Sequence, residues 1–167
     1  MRIAAVGAAA APVVSCARTA NPWRCLSEHE ARTLEAVCNR IIPADQDPGA
    51  AWAGVVNYID RQLAGPYRRW QKIYQQGLAG VNETGLAMFG HRFTDLATEQ
   101  QDAVLRKLEN GHAPGESWKE VPPKKFFDLL VSHTMQGYYG DPRHGGNRER
   151  ASWKMLRLPY PPVRGRL

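Results

Sequence analysis

The chain is poor in the residues that bind metals or close covalent frameworks. It has three cysteines in 167 residues. None forms a Cys-x-x-Cys pair, so neither a zinc ribbon nor a Cys-x-x-Cys-His haem attachment can be assembled. Its histidines, His29, His91, His112, His133 and His144, stand in separate segments with no His-x-x-x-His or His-Glu-x-x-His pair. Asp45 and Asp47 in "ADQDPG" lack the further ligands and closing glutamate of a calcium loop, and they read as a capping turn. No segment alternates apolar with polar residues on β-branched side chains, so strands are unsupported. Without a strand, "GGN" at Gly145, Gly146 and Asn147 is no dinucleotide loop, and it does not match G-x-x-x-x-G-K-[ST]. No G-x-S-x-G context marks a nucleophile. No apolar run reaches the roughly 20 residues that a bilayer span requires.

What is present describes an ordered chain. A hydrophobic fraction of 43% with 23% charged residues argues against disorder, and the length suits one domain. The net charge of +6 is spread along the sequence and thickens only at the end, from Arg143, Arg148, Arg150 and Arg157 to Arg164 and Arg166. A nucleic-acid binder would concentrate its cations on one stripe, so no nucleic acid is expected as a partner.

The first residues carry an export pattern. Met1-Arg2 is followed by "IAAVGAAAAPVV", a basic start, a short apolar run and small residues, as in a secretory signal. Gly7 and Pro12 interrupt the run and disfavour an Ala-rich helix. "VVSC" has the form of a lipobox with Cys16 as the lipidated residue. Cys25 and Cys38 would then remain. About 15 Å of helix rise separates them, against the ~7 Å that a disulfide allows between Cα atoms. Cys38, at an apolar helical position, is expected as a small buried hydrophobe.

Apolar spacing then lays out helices. Ser27 and Glu30 form a capping box ahead of Leu34, Val37, Cys38 and Ile41, a run that Pro43 ends. "AAWAGVVNYIDRQLAG" places Trp52, Val55, Val56, Ile59 and Leu63 on one face. Pro66 suits the first position of a third helix bearing Tyr67, Trp70, Ile73, Tyr74 and Leu78. Thr98 with Gln101 reads as a second capping box, before Val104, Leu105 and Leu108, and Gly111 is the stop. "KKFFDLLVSHTMQGYY" is the fifth helix. The expected fold is all-α: a single domain of about five helices with an irregular C-terminal extension. The boundaries are 1–16 for the signal-like segment, 17–26 for a linker, 27–139 for the helical domain and 140–167 for a partner-facing tail.

The tail has its own logic. Gly140, Asp141 and Pro142 make a turn. Gly145 and Gly146 permit positive φ or very close backbone approach. Asn147 can satisfy backbone groups with both ends of its amide. Trp153, Met155, Leu156, Leu158 and Tyr160 then supply aperiodic apolar surface, while Pro159, Pro161 and Pro162 keep the chain extended. Aromatic, Met and Arg residues on a turned segment match the composition of interface cores. Wrapping of the tail over the domain's own core is the equal alternative.

The longer words of the sequence resemble the small-subunit family of gluconate 2-dehydrogenase-type complexes, the subunit 3 family. They are "EARTLEAVCNRIIPADQDPGA", "AGVVNYIDRQLAG", "MFGHRFTDLATEQQDAVLRKLENG", "FFDLLVSHTMQGYYGDPRHGGN" and the tryptophan of "ASWKMLRLPYP". They run in order from about Glu30 to Pro161. The resemblance implies a non-catalytic partner of a large FAD-dependent dehydrogenase of the glucose-methanol-choline type, which oxidises sugars or sugar acids. A cytochrome c subunit bearing haem c often accepts the electrons. It implies no cofactor, metal or catalytic residue in this chain. It also implies a twin-arginine signal that exports the folded flavoprotein to the periplasm, with the membrane reached only indirectly or through lipid at Cys16. No paired arginines precede "MRIAAVGAAAA", so the expectation is a start inside a longer signal or another export route. The matching motif positions are Gly137, Asp141, Pro142, Gly145, Gly146, Asn147 and Trp153. With Tyr138 and His144 they form the expected partner-interface set, shaping a docking surface. Two alternatives are an oxidoreductase subunit lending His133, His144 or Asn147 to a shared active site, and a stand-alone periplasmic lipoprotein.

Overall fold

Ser27 opens the first helix as its spacing predicts. In the computed structural model, which describes residues 22–158, Ser27 Oγ accepts from the Glu30 N–H at 3.3 Å. Glu30 Oε2 accepts from the Ser27 N–H at 2.7 Å. Helix α1 (Glu28–Ile41) is followed by α2 (Val55–Leu63), α3 (Gln71–Phe89), α4 (Thr98–Glu109), α5 (Pro123–Tyr139) and the short α6 (Ala151–Met155). There is no strand among the described residues, so the fold is all-α.

Helix α1 packs against α2, α3 and α5, and α4 closes on α5. The core between them is made by Leu34, Val37, Ile59, Leu78, Phe126 and Leu130, all at most 1% exposed. Each such side chain contributes about 1.5–3 kcal/mol over its exposed state. Helix α3 lies close to its neighbours because Gly77 and Gly80 leave room for rings. A Cβ on Gly77 would sit 2.5 Å from Phe126, and one on Gly80 2.6 Å from Trp118. The Trp118 indole donates to Thr84 Oγ1 at 2.9 Å, which satisfies its one polar atom inside the core. Arg40 on α1 holds Asp102 on α4 through two bonds of 2.8 and 3.1 Å.

Four helix boundaries differ from the sequence expectation, each for a local reason. Trp52 does not lie on α2, because Gly54 at φ 72° breaks the chain just before Val55 and leaves the indole 42% exposed. Pro66 does not begin α3. The Tyr67 N–H turns back to Gln62 O at 2.7 Å, a 3-10 turn spans Arg68–Trp70, and α3 starts at Gln71. The cap of α4 is shifted by one residue. Extended Ala97 precedes the helix and Gln100 Oε1 accepts its N–H at 3.1 Å, while Gln101 instead donates to Phe93 O at 2.9 Å. Finally, the segment after Gly140 is not wholly irregular: 3-10 turns at Pro142–His144 and Arg148–Arg150 lead into α6. The signal-like run, Cys16, Tyr160 and the terminal prolines and arginines lie outside the described residues.

Candidate functional site

The glycine-rich segment after α5 folds back as a strap across the start of α2. Helix α5 ends at Gly140, and Asp141 caps the following turn by accepting the Arg143 N–H at 2.9 Å. The Arg143 guanidinium also reaches Asp141 Oδ2 at 2.7 and 3.0 Å, and this hydrogen bonding holds the carboxyl below its ordinary range. Gly145 takes φ 104°, which a side chain would strain. Gly146 then passes directly over α5: a Cβ there would lie 2.1 Å from the Gly137 carbonyl oxygen. Gly137 itself abuts Tyr58 and Val55 of α2, with a Cβ position 3.0 and 3.1 Å from them.

Asn147 locks the crossing. It is fully buried, its Nδ2 donates to Gly140 O at 2.8 Å, and its Oδ1 accepts the Ser152 N–H at 3.1 Å. One side chain thus joins the end of α5 to the start of α6. The Arg148 N–H donates to Ala53 O at 3.0 Å, tying the strap to the loop before α2. Trp153 Nε1 donates to Tyr139 O at 2.9 Å. Tyr138 points the other way and donates from its hydroxyl to Pro48 O at 2.6 Å.

The expected interface set therefore divides. Gly137, Tyr138, Gly146 and Asn147 are buried within this chain. They shape the backbone from inside and present no side-chain surface. His144 is exposed, while Asp141, Pro142, Gly145 and Trp153 are half-buried. Asn147 does bond with both ends of its amide, as its chemistry suggested, and Gly145 and Gly146 do supply the positive φ and the close approach.

His133 lies one helical turn before Gly137 and faces inward at 4% exposure. Its Nδ1 is 2.9 Å from the Tyr74 hydroxyl, and its ring stacks on Tyr67 with centroids 4.3 Å apart. Tyr58 and Tyr67 converge on Gln136 Oε1, which carries the network to the surface. Burial pulls the His133 pKa down to about 4, so the ring is neutral at pH 7. Of the residues weighed for a shared active site, His133 and Asn147 are thus enclosed, and His144 is exposed. Cys38 is fully buried beside Thr134 Oγ1 at 3.3 Å, and burial pushes its thiol up to about 12. It is the small hydrophobe its spacing predicts, and it and Cys25 are both free.

Two features escaped sequence reasoning. Asp60 is 3% exposed, and its carboxylate accepts three successive backbone N–H groups, from Arg24 at 2.8 Å, Cys25 at 2.9 Å and Leu26 at 3.1 Å. It therefore fixes the described end of the expected linker onto α2. The available signal was an acidic residue inside an apolar stripe, four after Val56 and three before Leu63. The second feature is the meeting of Trp52 with Arg148, whose guanidinium carbon lies 5.8 Å from the indole centroid. Nearly a hundred residues separate the two, and no local pattern links them.

Among the described residues no three His, Cys, Asp or Glu side chains gather as metal ligands. No helix among them is long and apolar enough to cross a membrane. A family model described as gluconate 2-dehydrogenase subunit 3 matches residues 28–159. Neither the curated proteins nor the solved structures contain a match to the chain.

Proposed function

The chain belongs to the gluconate 2-dehydrogenase subunit 3 family, and from that premise we propose that it is the non-catalytic small subunit of a periplasmic dehydrogenase complex. In this reading it binds and stabilises a large FAD-dependent subunit of the glucose-methanol-choline type, which oxidises a sugar or sugar acid, and it helps that subunit through export. A cytochrome c subunit carrying haem c takes the electrons.

The observation that carries the reading is the internal use of the strap. Its glycines are filled by the chain's own Gly137 backbone and Arg61 side chain, and Asn147 has both ends of its amide engaged. Those glycines do not form a cradle for a flavin or a haem. They build a stiff turn whose outer side chains face solvent. A rigid segment of this kind loses little entropy on binding, which favours a docking role. The proposal places the flavin and the haem in the partner subunits.

Co-expression with the flavoprotein subunit tests this. The two chains should co-purify through a tag on the flavoprotein, and omission of this chain should deplete periplasmic flavoprotein activity. A flavoprotein that is exported, stable and active alone, and never retains this chain, would overturn the reading.

A further inference from the structure

Resting on that reading, we propose that the centre of the docking surface is the exposed indole of Trp52 beside Arg148, with Arg61 along the strap at Gly145. Its occupant is a carboxylate-bearing segment of the large subunit with an apolar recess for the indole.

Trp52 is held outward by its surroundings. Its neighbours Ala50 and Ala53 are fully buried, and the loop is pinned by Ala50 N–H to Ile42 O at 2.9 Å and Ala53 N–H to Gly49 O at 3.0 Å. Trp52 rides on a fixed loop and is 42% exposed. Trp and Arg are the residues most often found as energetic anchors at the centre of protein interfaces.

The strap brings the charges. The Arg148 N–H bonds to Ala53 O at 3.0 Å, which sets its guanidinium beside the indole. Arg61, exposed on α2, runs along Gly145, where a Cβ would come within 2.9 Å of its Cδ. The glycine is therefore what lets Arg61 lie against the strap. Gly54 completes the group, with its Cβ position 3.7 Å from an Arg148 terminal nitrogen. Arg32, Arg40 and Arg143 each pair with a carboxylate. Among the described residues neither Arg61 nor Arg148 does. An interface that covers two guanidinium groups must supply anions, since an unpaired buried charge is strongly unfavourable. The planar fork of arginine suits a carboxylate.

The backbone is strained at the same place. Asn147, Glu149 and Arg150 have φ of 45°, 52° and 62°. Asn147 is suited to this region and is compensated by its two bonds, but glutamate and arginine disfavour it. Glycine would relieve positions 149 and 150. Strain retained around Arg148 is the pattern expected where the presentation of a side chain matters beyond the fold.

The test uses the full chain co-expressed with the flavoprotein subunit, comparing wild type with Trp52→Ala and with the pair Arg61→Glu and Arg148→Glu. Leu86→Ala, which alters an exposed apolar residue of α3, serves as the control. Affinity should fall at least about tenfold for either docking variant, as for an anchor residue, while the control stays near wild type. Wild-type melting of the isolated variants shows that folding is intact. Because Arg61 touches the strap, Trp52→Ala decides the matter if the charge reversal destabilises. If wild type binds and Trp52→Ala binds within about twofold, this surface is overturned and the proposed function stands. If wild type itself does not bind, both fall. Loss of binding to anionic phosphatidylglycerol vesicles with flavoprotein binding unchanged would overturn the proposal in favour of a membrane-facing patch.

Discussion

The bundle and the strap are held together by different physics. Between α1 and α5 the structure rests on apolar side chains repeated at helical spacing, with many neighbours sharing each contact. Between Gly140 and Trp153 it rests on single atoms: one amide, two glycines without room for a methyl group, one indole N–H on Tyr139 O and one backbone bond to Ala53. A core of the first kind can repack around a changed side chain, at a cost that depends on how well the site collapses. A contact between two backbones has no rotamer to adjust. The comparison teaches that the strap is the more brittle part, although the bundle contributes far more buried surface.

The sharpest way to break that comparison is Gly146→Ala. A Cβ 2.1 Å from a carbonyl oxygen cannot be accommodated, so the strap must lift off α5 and lose the Asn147 bond to Gly140 O. A loss of about 3–4 kcal/mol is expected for the strap. Hydrogen exchange should rise across residues 140–153 while the amides of α1 and α5 stay protected. Uniform loss of protection would show that strap and bundle are one cooperative unit.

The second prediction concerns the bundle. His133 has a folded pKa of about 4, below the ordinary 6.5. Between those values the unfolded chain takes up a proton that the folded chain refuses. Its contribution is therefore fully present above about pH 6.5 and is lost as the pH falls toward 4. The loss should be about 3 kcal/mol, measured by denaturant titration across that window. His133→Gln should flatten that part of the profile, and a slope unchanged by the substitution would assign the pH dependence elsewhere.

The smallest effect has the opposite sign. Glu149 is strained at φ 52°, and its contact with Lys154 is a long 3.9 Å at the surface. Glu149→Gly should therefore raise strap stability by about 0.5–1 kcal/mol, seen as slower exchange near Ser152. A destabilisation would mean that the glutamate supports the turn in a way that its backbone angle conceals.

The helices were legible because the hydrophobic effect writes a period into the sequence. Leu34, Val37 and Cys38 recur at helical spacing, and all three are fully buried. Ser27 and Glu30 announced their cap. The motif positions were legible as chemistry too, since Gly-Gly-Asn admits few uses other than close approach and backbone capture. Their neighbours were less readable. The capping residue of α4 differed by one position because Gln100 and Gln101 have the same side chain, and only the extended conformation of Ala97 decides which of them turns back to it.

The sequence by itself determined an all-α chain, the spacing of its core and the family to which it belongs. Only the tertiary structure decided which face each motif residue turns to. Gly146 and Asn147 were expected to shape a partner-facing segment, with wrapping of the domain's own core as the equal alternative, and they are buried against Gly137 and Gly140; Trp52 read as core and stands exposed beside Arg148. The physical reason is that local spacing specifies which residues share a helix face. Whether that face meets solvent, or the returning strap, depends on contacts between residues far apart in the chain.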